Sequence, residues 1–432
     1  MAKKNVFIIG LDAFNREKLE RLPQARECAF HAALDIGDIR NVDRYDIPHL
    51  LDKAIHTMEA FDGSVDAVAS YFDFPGTILV PILAARFGLP GPDLEAVLKC
   101  EHKYWSRLEQ RKVIPEYIPR FQAFNPFDEG AFEGIDLPPP FWIKPFKSFR
   151  SFLAFHIQDP HQFQAVMPVC REKVGFIDEP FRYLMQRFGA PEKITGMPES
   201  FLAESPIGGW QCTLELYSHD GQVHLYGVVD SVREPGRSSF SRYEYPSSLP
   251  LDIQYHMMDV VRMAVQQIGL DQTPFNAEFF YDRDSDQVWL LEINPRVSQA
   301  HADIFEKVHG ISHLAVMVDL ALGRKPRPME RKGPYNVAGH FMLRTRESGR
   351  VLRLPSQEAI DRLRRRQPGT RVKIPVRAGQ HLGELQGQDM YSFEIANVFI
   401  GGRDQAEMLD RYDEALGVLQ FDIEKDADPV II

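Results

Sequence analysis

Apolar positions along this chain recur with two periods, and the switches between them mark out its elements. Residues 5–11 (NVFIIGL) form an apolar run of strand length, and 14–27 carry helical spacing. Residues 29–35 read as a second strand, His49–Phe61 as a helix and Ser64–Tyr71 as a third strand. A Pro75-Gly76 turn and a helix through Arg86 follow. Strands alternating with helices predict a small parallel α/β domain. Gly10 stands alone after the first strand, so no dinucleotide fingerprint is present. Leu89-Pro90-Gly91 marks a boundary. Beyond it, Asp93–Gln110 reads as one helix with an acidic first turn, carrying Lys99, His102, Lys103 and Arg107. Basic residues late in a helix ordinarily reflect dipole and solvent preferences.

Phe141–Ser148 (FWIKPFKS) is an apolar strand with a single Lys144 before Pro145. Such a lysine is either solvated at a sheet edge or projects into a cleft, where it suits phosphate. The segment after it is basic and hydroxyl-rich without glycine, which makes Lys147, Ser148, Arg150 and Ser151 candidate phosphate contacts. Phe201–Gln211 is a strand ending in a turn, and CTLELY and VHLYGVVD flank a second turn at His219-Asp220-Gly221. Ser231–Ser248, rich in Arg, Ser and Tyr, reads as a mobile loop over a site or a plain connector. Leu251–Ile268 is helical, as is Ile311–Leu322, which ends at Gly323. His309 and His313 share a helix face but have no third ligand nearby, so core or surface histidines fit them better than a metal site. Short strands at 336–344, 349–354, 371–375 and 397–401 predict a β-rich C-terminal domain closed by a helix at 404–416. Arg362–Arg366 reads as a solvated helix face, without the aromatic interleaving that nucleic-acid stacking requires.

Composition narrows the function classes. The chain has 432 residues, 44% hydrophobic and 26% charged, which fits a soluble protein of two or three domains. A net charge of −11 argues against nucleic acid or a membrane surface as the main partner. No window approaches the ~20 apolar residues of a membrane span. The first residues, with two lysines and an apolar run stopped by Asp12, read as a strand rather than a secretory segment. Cys28, Cys100, Cys170 and Cys212 are widely spaced, with no CxxC pair, as expected of reduced structural thiols in a cytoplasmic protein.

The stretch Phe275–His301 carries the candidate chemistry. Asn276, Glu278 and Phe280 share one face of a strand, and period two puts Val288, Leu290, Glu292 and Asn294 on one face of the next. DRDSDQ closes a hairpin, and centring it on Ser285 places Glu278 opposite Glu292. Facing carboxylates repel, so a cation is expected between them, either a lysine or arginine from elsewhere or a metal. Asn294 adds a neutral oxygen on the same face, and Arg296 can hold an anion beside it. Two carboxylates and an amide oxygen suit Mg²⁺, or Mn²⁺, sharing its shell with phosphate.

In order, Lys103, Lys144, Glu204 and the Glu278…Glu292-Ile-Asn294-Pro-Arg296 motif resemble the ATP-grasp superfamily over roughly residues 1–425. The C-terminal segment resembles the biotin-carboxylase-like branch that includes L-amino-acid ligases. The resemblance implies an α/β (α+β) ATP-grasp fold in three parts. These are an N-terminal α/β pre-ATP-grasp domain (1–92), an ATP-grasp domain (93–328, with a lid at about 125–205) and a C-terminal β-rich domain (329–432). It further implies that Lys103, Lys144 and Ser148 contact ATP, and that Glu204 and Ile207 hold adenine. Gln211 stands where many relatives have a ribose-binding glutamate. Glu278, Glu292 and Asn294 would bind Mg²⁺, and Arg296 would stabilise an acyl phosphate. Biotin carboxylases continue this motif with a glutamate that activates bicarbonate; Ala300 stands there, which counts against carboxylation.

The activity implied is an ADP-forming carboxylate–amine ligase acting on a small carboxylate and an amine, an amino acid being one of the two. His301, or Tyr243, is a candidate acceptor for the amine's proton. A homodimer is an open option. The alternatives are a phosphotransferase acting on a small carboxylate and a nucleotide-binding protein without catalysis.

Overall fold

The computed structural model of the chain describes residues 3–40, 42–149, 151–198, 200–234, 239–385, 388 and 392–426. Its strands, in chain order, are β1 (Lys4–Leu11), β2 (Cys28–Asp35), β3 (Ala67–Ala69), β4 (Phe121–Phe124), β5 (Phe141–Pro145), β6 (Phe155–Ile157), β7 (Phe201–Glu204), β8 (Trp210–His219), β9 (Gln222–Arg233), β10 (Phe240–Tyr245), β11 (Thr273–Asp282), β12 (Gln287–Asn294), β13 (Val337–Thr345), β14 (Gly349–Arg353), β15 (Arg371–Lys373), β16 (Phe393–Gly402) and β17 (Asp422–Lys425). The chain divides into two compact units. The first comprises Met1–Tyr226, Leu249–Ser298 and Leu314–Arg327; the second comprises Gly227–Ser248, Gln299–His313 and Pro328–Ile432.

The first unit begins with the expected parallel sheet, in the order β2-β1-β3. Val6, Phe7, Ile8 and Ile9 of the central strand are almost wholly buried, as a strand covered on both faces requires. The helix expected over 14–27 stops at Glu20. Leu22 is extended ahead of Pro23 (ψ 149°), since proline disfavours the helical conformation in the residue before it. Further along, an antiparallel sheet of order β4-β7-β5-β6 is covered by helix Pro160–Lys173, against which helix Gly175–Arg187 packs. Phe141, Ile143, Phe163, Met167, Phe201 and Ala203 form its core. The third sheet of this unit runs β12-β11-β8, antiparallel, with helix Leu251–Ile268 beside β12.

The second unit is β-rich, as expected, with the part of β9 from Gly227 onward leading the order β9-β10-β13-β16-β15. Helices Gln357–Arg366 and Gln405–Val418 pack Ile360, Leu363, Met408 and Ala415 against Phe341, Val398 and Ile400. The arginines of 362–366 are exposed around a buried Leu363, the solvated face the sequence suggested. Ser231–Ser248, expected as a loop, instead holds the end of β9 and all of β10, paired Tyr243↔Ser231 and Tyr243↔His340. Its polar residues are ladder residues rather than loop residues; 235–238 lie outside the described residues. His309 and His313 are core residues stacked on Phe305 at 5.6 and 4.9 Å. All four cysteines are buried, and none forms a disulfide among the described residues. No described helix is long and apolar enough to cross a membrane.

Candidate functional site

The hairpin of β11 and β12 pairs Glu278 with Glu292 and Asn276 with Asn294, as centring it on Ser285 predicts, whereas nearer the turn the register is one residue different, with Asp282 opposite Gln287. The face assignment needs one correction. Phe279 pairs with Leu290, not Leu291, so β12 carries a one-residue bulge between Leu290 and Glu292. A bulge shifts side-chain parity. Val288 and Leu290 therefore belong with Phe279 and Ile293 on the buried face, whereas Glu292 and Asn294 turn to the opposite face with Asn276 and Glu278.

On that face the amides are ordered by a chain of bonds. Asn276 Nδ2 donates to the Arg296 carbonyl at 2.8 Å, and its Oδ1 accepts from Asn294 Nδ2 at 3.1 Å. Asn294 Nδ2 also reaches Glu278 Oε1 at 3.4 Å, and Gln211 Nε2 reaches Glu278 Oε2 at 3.3 Å. With the amide hydrogens of Asn294 committed, its Oδ1 is left as an oxygen ligand beside the two carboxylates. Among the described residues, no group of three or more His, Cys, Asp or Glu forms a metal-holding cluster. Two carboxylates and an amide oxygen make too small a set for an all-protein cage. They fit a hard cation such as Mg²⁺ or Mn²⁺ that takes its remaining ligands from phosphate and water.

The basic groups come from a helix that the sequence read as continuous. It breaks at His102, giving helices Leu94–Glu101 and Lys103–Gln110. His102 (φ −92°, ψ 100°) caps the second, its Nδ1 accepting from Trp105 N at 3.1 Å, while Lys103 N bonds to the Phe146 carbonyl at 2.8 Å. The break delivers Lys103 Nζ to Glu292 Oε1 at 2.6 Å, with the Ser148 carbonyl at 3.3 Å. An ammonium thus meets one of the two facing carboxylates, the lysine pairing that the sequence left open. Burial would raise the Glu292 pKa, but Lys103 and then Lys144 hold it below the ordinary carboxylate value.

Glu204, at the end of β7, is buried between Arg107 Nε at 2.6 Å and Lys144 Nζ at 2.5 Å. Burial alone would raise its pKa, but the two cations outweigh it and hold the carboxyl at about 2. Lys144 shifts the opposite way from what a paired lysine would show: burial, with Arg107 and Lys103 nearby, lowers its pKa despite Glu204. Burial is the larger cause for Lys144, and Glu204, shared with Arg107, does not offset it.

Three residues of this network escaped the sequence reading. Asp73, in the turn after β3, accepts from Arg296 Nε at 2.9 Å and Nη2 at 2.5 Å, and pairs with Lys147 at 3.1 Å. Lys147 also pairs with buried Glu101. Lys147 and Arg296 hold Asp73 far below the usual carboxylate range against the effect of burial, whereas burial pushes Glu101 up. The third is Arg107, read as a solvent-facing helix residue but only 3% exposed. Asp73 sits in a stretch that reads as an ordinary proline turn, and no local signal distinguishes it. Arg107 and Glu101 fall on the buried side of helices whose break was not legible.

Lys103, Lys144, Glu204, Gln211, Glu278, Glu292, Asn294 and Arg296 thus lie in one unit, in three bonded sets: Lys103 with Glu292, Lys144 with Glu204, and Gln211, Glu278 and Asn294 with Arg296 through Asn276. Ser148 joins through its carbonyl, and Lys147 is tied up in ion pairs. Ile207 is half-buried in the connection between β7 and β8. Arg150 lies outside the described residues. His301 and Tyr243 belong to the second unit, where their rings meet edge-on at 4.8 Å and His301 is buried.

Residues 137–302 match the ATP-grasp domain family. No curated protein matches the chain. Among solved structures, the L-amino acid ligase from Bacillus licheniformis superposes with a TM-score of 0.72 at 18% identity, covering 99% of this chain and 100% of that one. N5-carboxyaminoimidazole ribonucleotide synthetase from Thermotoga maritima gives 0.63 at 11% identity, with 98% and 100% covered. The biotin carboxylase domain of Hydrogenobacter thermophilus 2-oxoglutarate carboxylase, solved with MgADP and bicarbonate, gives 0.61 at 13% identity, with 98% and 91% covered. The chain carries an ATP-grasp domain and has the ATP-grasp fold.

Proposed function

We propose that the protein is an ATP-dependent, ADP-forming carboxylate–amine ligase that joins a small carboxylate to an amine, one of them an amino acid. The observation that carries this reading is the face shared by Glu278, Glu292 and Asn294, with Lys103 2.6 Å from Glu292. Carboxylates for a metal and ammonium groups for phosphate stand side by side there. In this reading Glu278, Glu292 and Asn294 hold Mg²⁺, which when bound offsets phosphate charge. Lys103 and Lys144 face the phosphates, each held in place by a carboxylate, Glu292 and Glu204. Both oxygens of Glu204 are engaged, so it acts on the nucleotide by placing Lys144 and through the backbone leading to Ile207. Ser148 and Gln211 line the same nucleotide site.

Catalysis then rests on position and charge. Arg296, fixed by two N–H bonds to Asp73, presents a preset cation to the carboxylate being phosphorylated. The γ-phosphoryl group passes to the carboxylate oxygen and ADP leaves. The amine attacks the acyl carbon, the C–O bond to phosphate breaks, and the nitrogen gives up its proton to a general base. Residues 125–205 form the lid that keeps water from the acyl phosphate. A cytosolic setting accords with four buried cysteines outside any disulfide.

The test is a phosphate-release screen with ATP and Mg²⁺ over a matrix of carboxylates against amino acids, with hydroxylamine as a trap. ADP should form only when an acid and an amine are both present, and hydroxamate should accumulate when the amine is replaced by hydroxylamine. Release with neither substrate would make the protein a plain ATPase. Absence of hydroxamate with every accepted acid would remove the acyl phosphate.

A further inference from the structure

Arg107 makes a set of bonds that neither pairing nor solvation of a helix face explains. Nε donates to Glu204 Oε1 at 2.6 Å and Nη1 to Gln110 Oε1 at 2.6 Å. Nη1 also reaches the Leu290 carbonyl at 3.2 Å, and Nη2 the Leu291 carbonyl at 2.8 Å. Those two carbonyls lie at the bulge of β12, where the ladder to β11 slips by one residue. A bulge leaves backbone polar groups without ladder partners, and a buried group in that position is costly unless it is bonded.

We propose that Arg107 is a positioning residue for the metal-binding face. Its guanidinium bonds the bulge carbonyls, keeps Leu291 as the extra residue, and so keeps Glu292 and Asn294 on the side of Glu278. The inference rests on the proposed metal role of that face. Without the bulge, β12 would continue in regular alternation and Glu292 would turn toward the side of Ile293 and Phe279, away from Glu278. The same guanidinium engages Glu204, so one planar group holds both the nucleotide-side carboxylate and the strand bearing the metal ligands. A lysine here offers one ammonium: it can face Glu204, but it has no fork to span that carboxylate and two carbonyls as well.

The experiment is Arg107→Lys in the full chain, with Mn²⁺ affinity read by electron paramagnetic resonance at saturating ADP. ADP affinity is read separately by calorimetry in EDTA, and folding by circular dichroism. Mn²⁺ binding should weaken about tenfold or more, the range seen when groups that orient metal ligands are changed, and by a clearly larger factor than ADP affinity in EDTA, since the lysine still faces Glu204. Gln110→Ala, which removes the acceptor that orients Nη1, should weaken Mn²⁺ in the same direction by less, and it decides the matter if Arg107→Lys does not fold. Unchanged Mn²⁺ affinity in the folded variants overturns the inference, as does equal weakening of Mn²⁺ and ADP. Glu292→Ala separates the two levels. If it loses Mn²⁺ while Arg107→Lys does not, only the role of Arg107 falls; if it keeps Mn²⁺, the metal reading falls and this inference with it.

Discussion

Replacing Glu204 with glutamine tests the buried charge network directly. The substitution keeps the shape and an acceptor oxygen but leaves Arg107 and Lys144 without their shared carboxylate. The size of the effect follows from the proton affinity of the wild-type group. Its pKa is lowered in the folded protein, from an ordinary 4.5 to about 2. A carboxyl with a depressed folded pKa contributes stability above its unfolded pKa and loses it as pH falls through the folded one. At 1.36 kcal/mol per tenfold in proton affinity, the carboxylate contributes about 3 kcal/mol at pH 7 and about 1 kcal/mol at pH 3. Removing one partner of a buried ion pair typically costs about 3–5 kcal/mol, which agrees in scale. Urea unfolding of wild type and Glu204→Gln, followed from pH 7 to pH 3, should show a difference of about 3 kcal/mol that narrows steadily on acidification. A difference below about 1 kcal/mol at pH 7, or one that does not shrink with acid, would refute the account.

Other expectations address the remaining contacts. Glu292→Ala should abolish ATP turnover while leaving the far-ultraviolet circular dichroism unchanged; near-normal turnover would sink the metal assignment. Asp73→Asn frees the Arg296 guanidinium from its anchor, and steady-state kinetics should show kcat down about tenfold or more. KM for ATP should change far less; the reverse pattern would mean that Asp73 serves nucleotide binding instead. Gly209→Ala should cost about 2 kcal/mol or more in urea unfolding, because Gly209 has φ +112° and an added Cβ would lie 2.2 Å from the Tyr281 carbonyl oxygen.

The parts of the site that were legible in sequence are those governed by local periodicity. The polar turn between two apolar segments marks the hairpin, and the alternation along β11 puts Glu278 and Asn276 on one face; the turn centred on Ser285 names the right partner for Glu278 only because the bulge adds the residue by which the true turn register differs. The bulge was hidden because Leu290 and Leu291 are both apolar, so the pattern reads the same whichever of them is extra. Lys103 was named from family order alone. Its aim depends on a helix break at His102, which the bond from Lys103 N to the Phe146 carbonyl, 43 residues on from Lys103, helps to hold. Arg107 is buried and Asp73 half-buried by partners distant in sequence, and a single charged residue in a helix or turn gives no sign of them. The strand β10 was missed for a related reason: Arg242 and Glu244 pair with each other, so a polar stretch that resembles a loop is a strand with its charges compensated.

The bulge at Leu291 bears on how this site can be recognised and altered. Glu292 follows Glu278 by fourteen positions, yet that number is not itself the requirement. Residues added to the exposed turn at 283–286 lengthen a loop and leave both ladders where they are. A single residue added or removed between 287 and 291 reverses which way Glu292 points. Homologous sites should therefore be sought by odd or even count along β12 rather than by total spacing. In transplanting this hairpin to another scaffold, Leu291 must travel with the glutamates, although its side chain contributes no ligand.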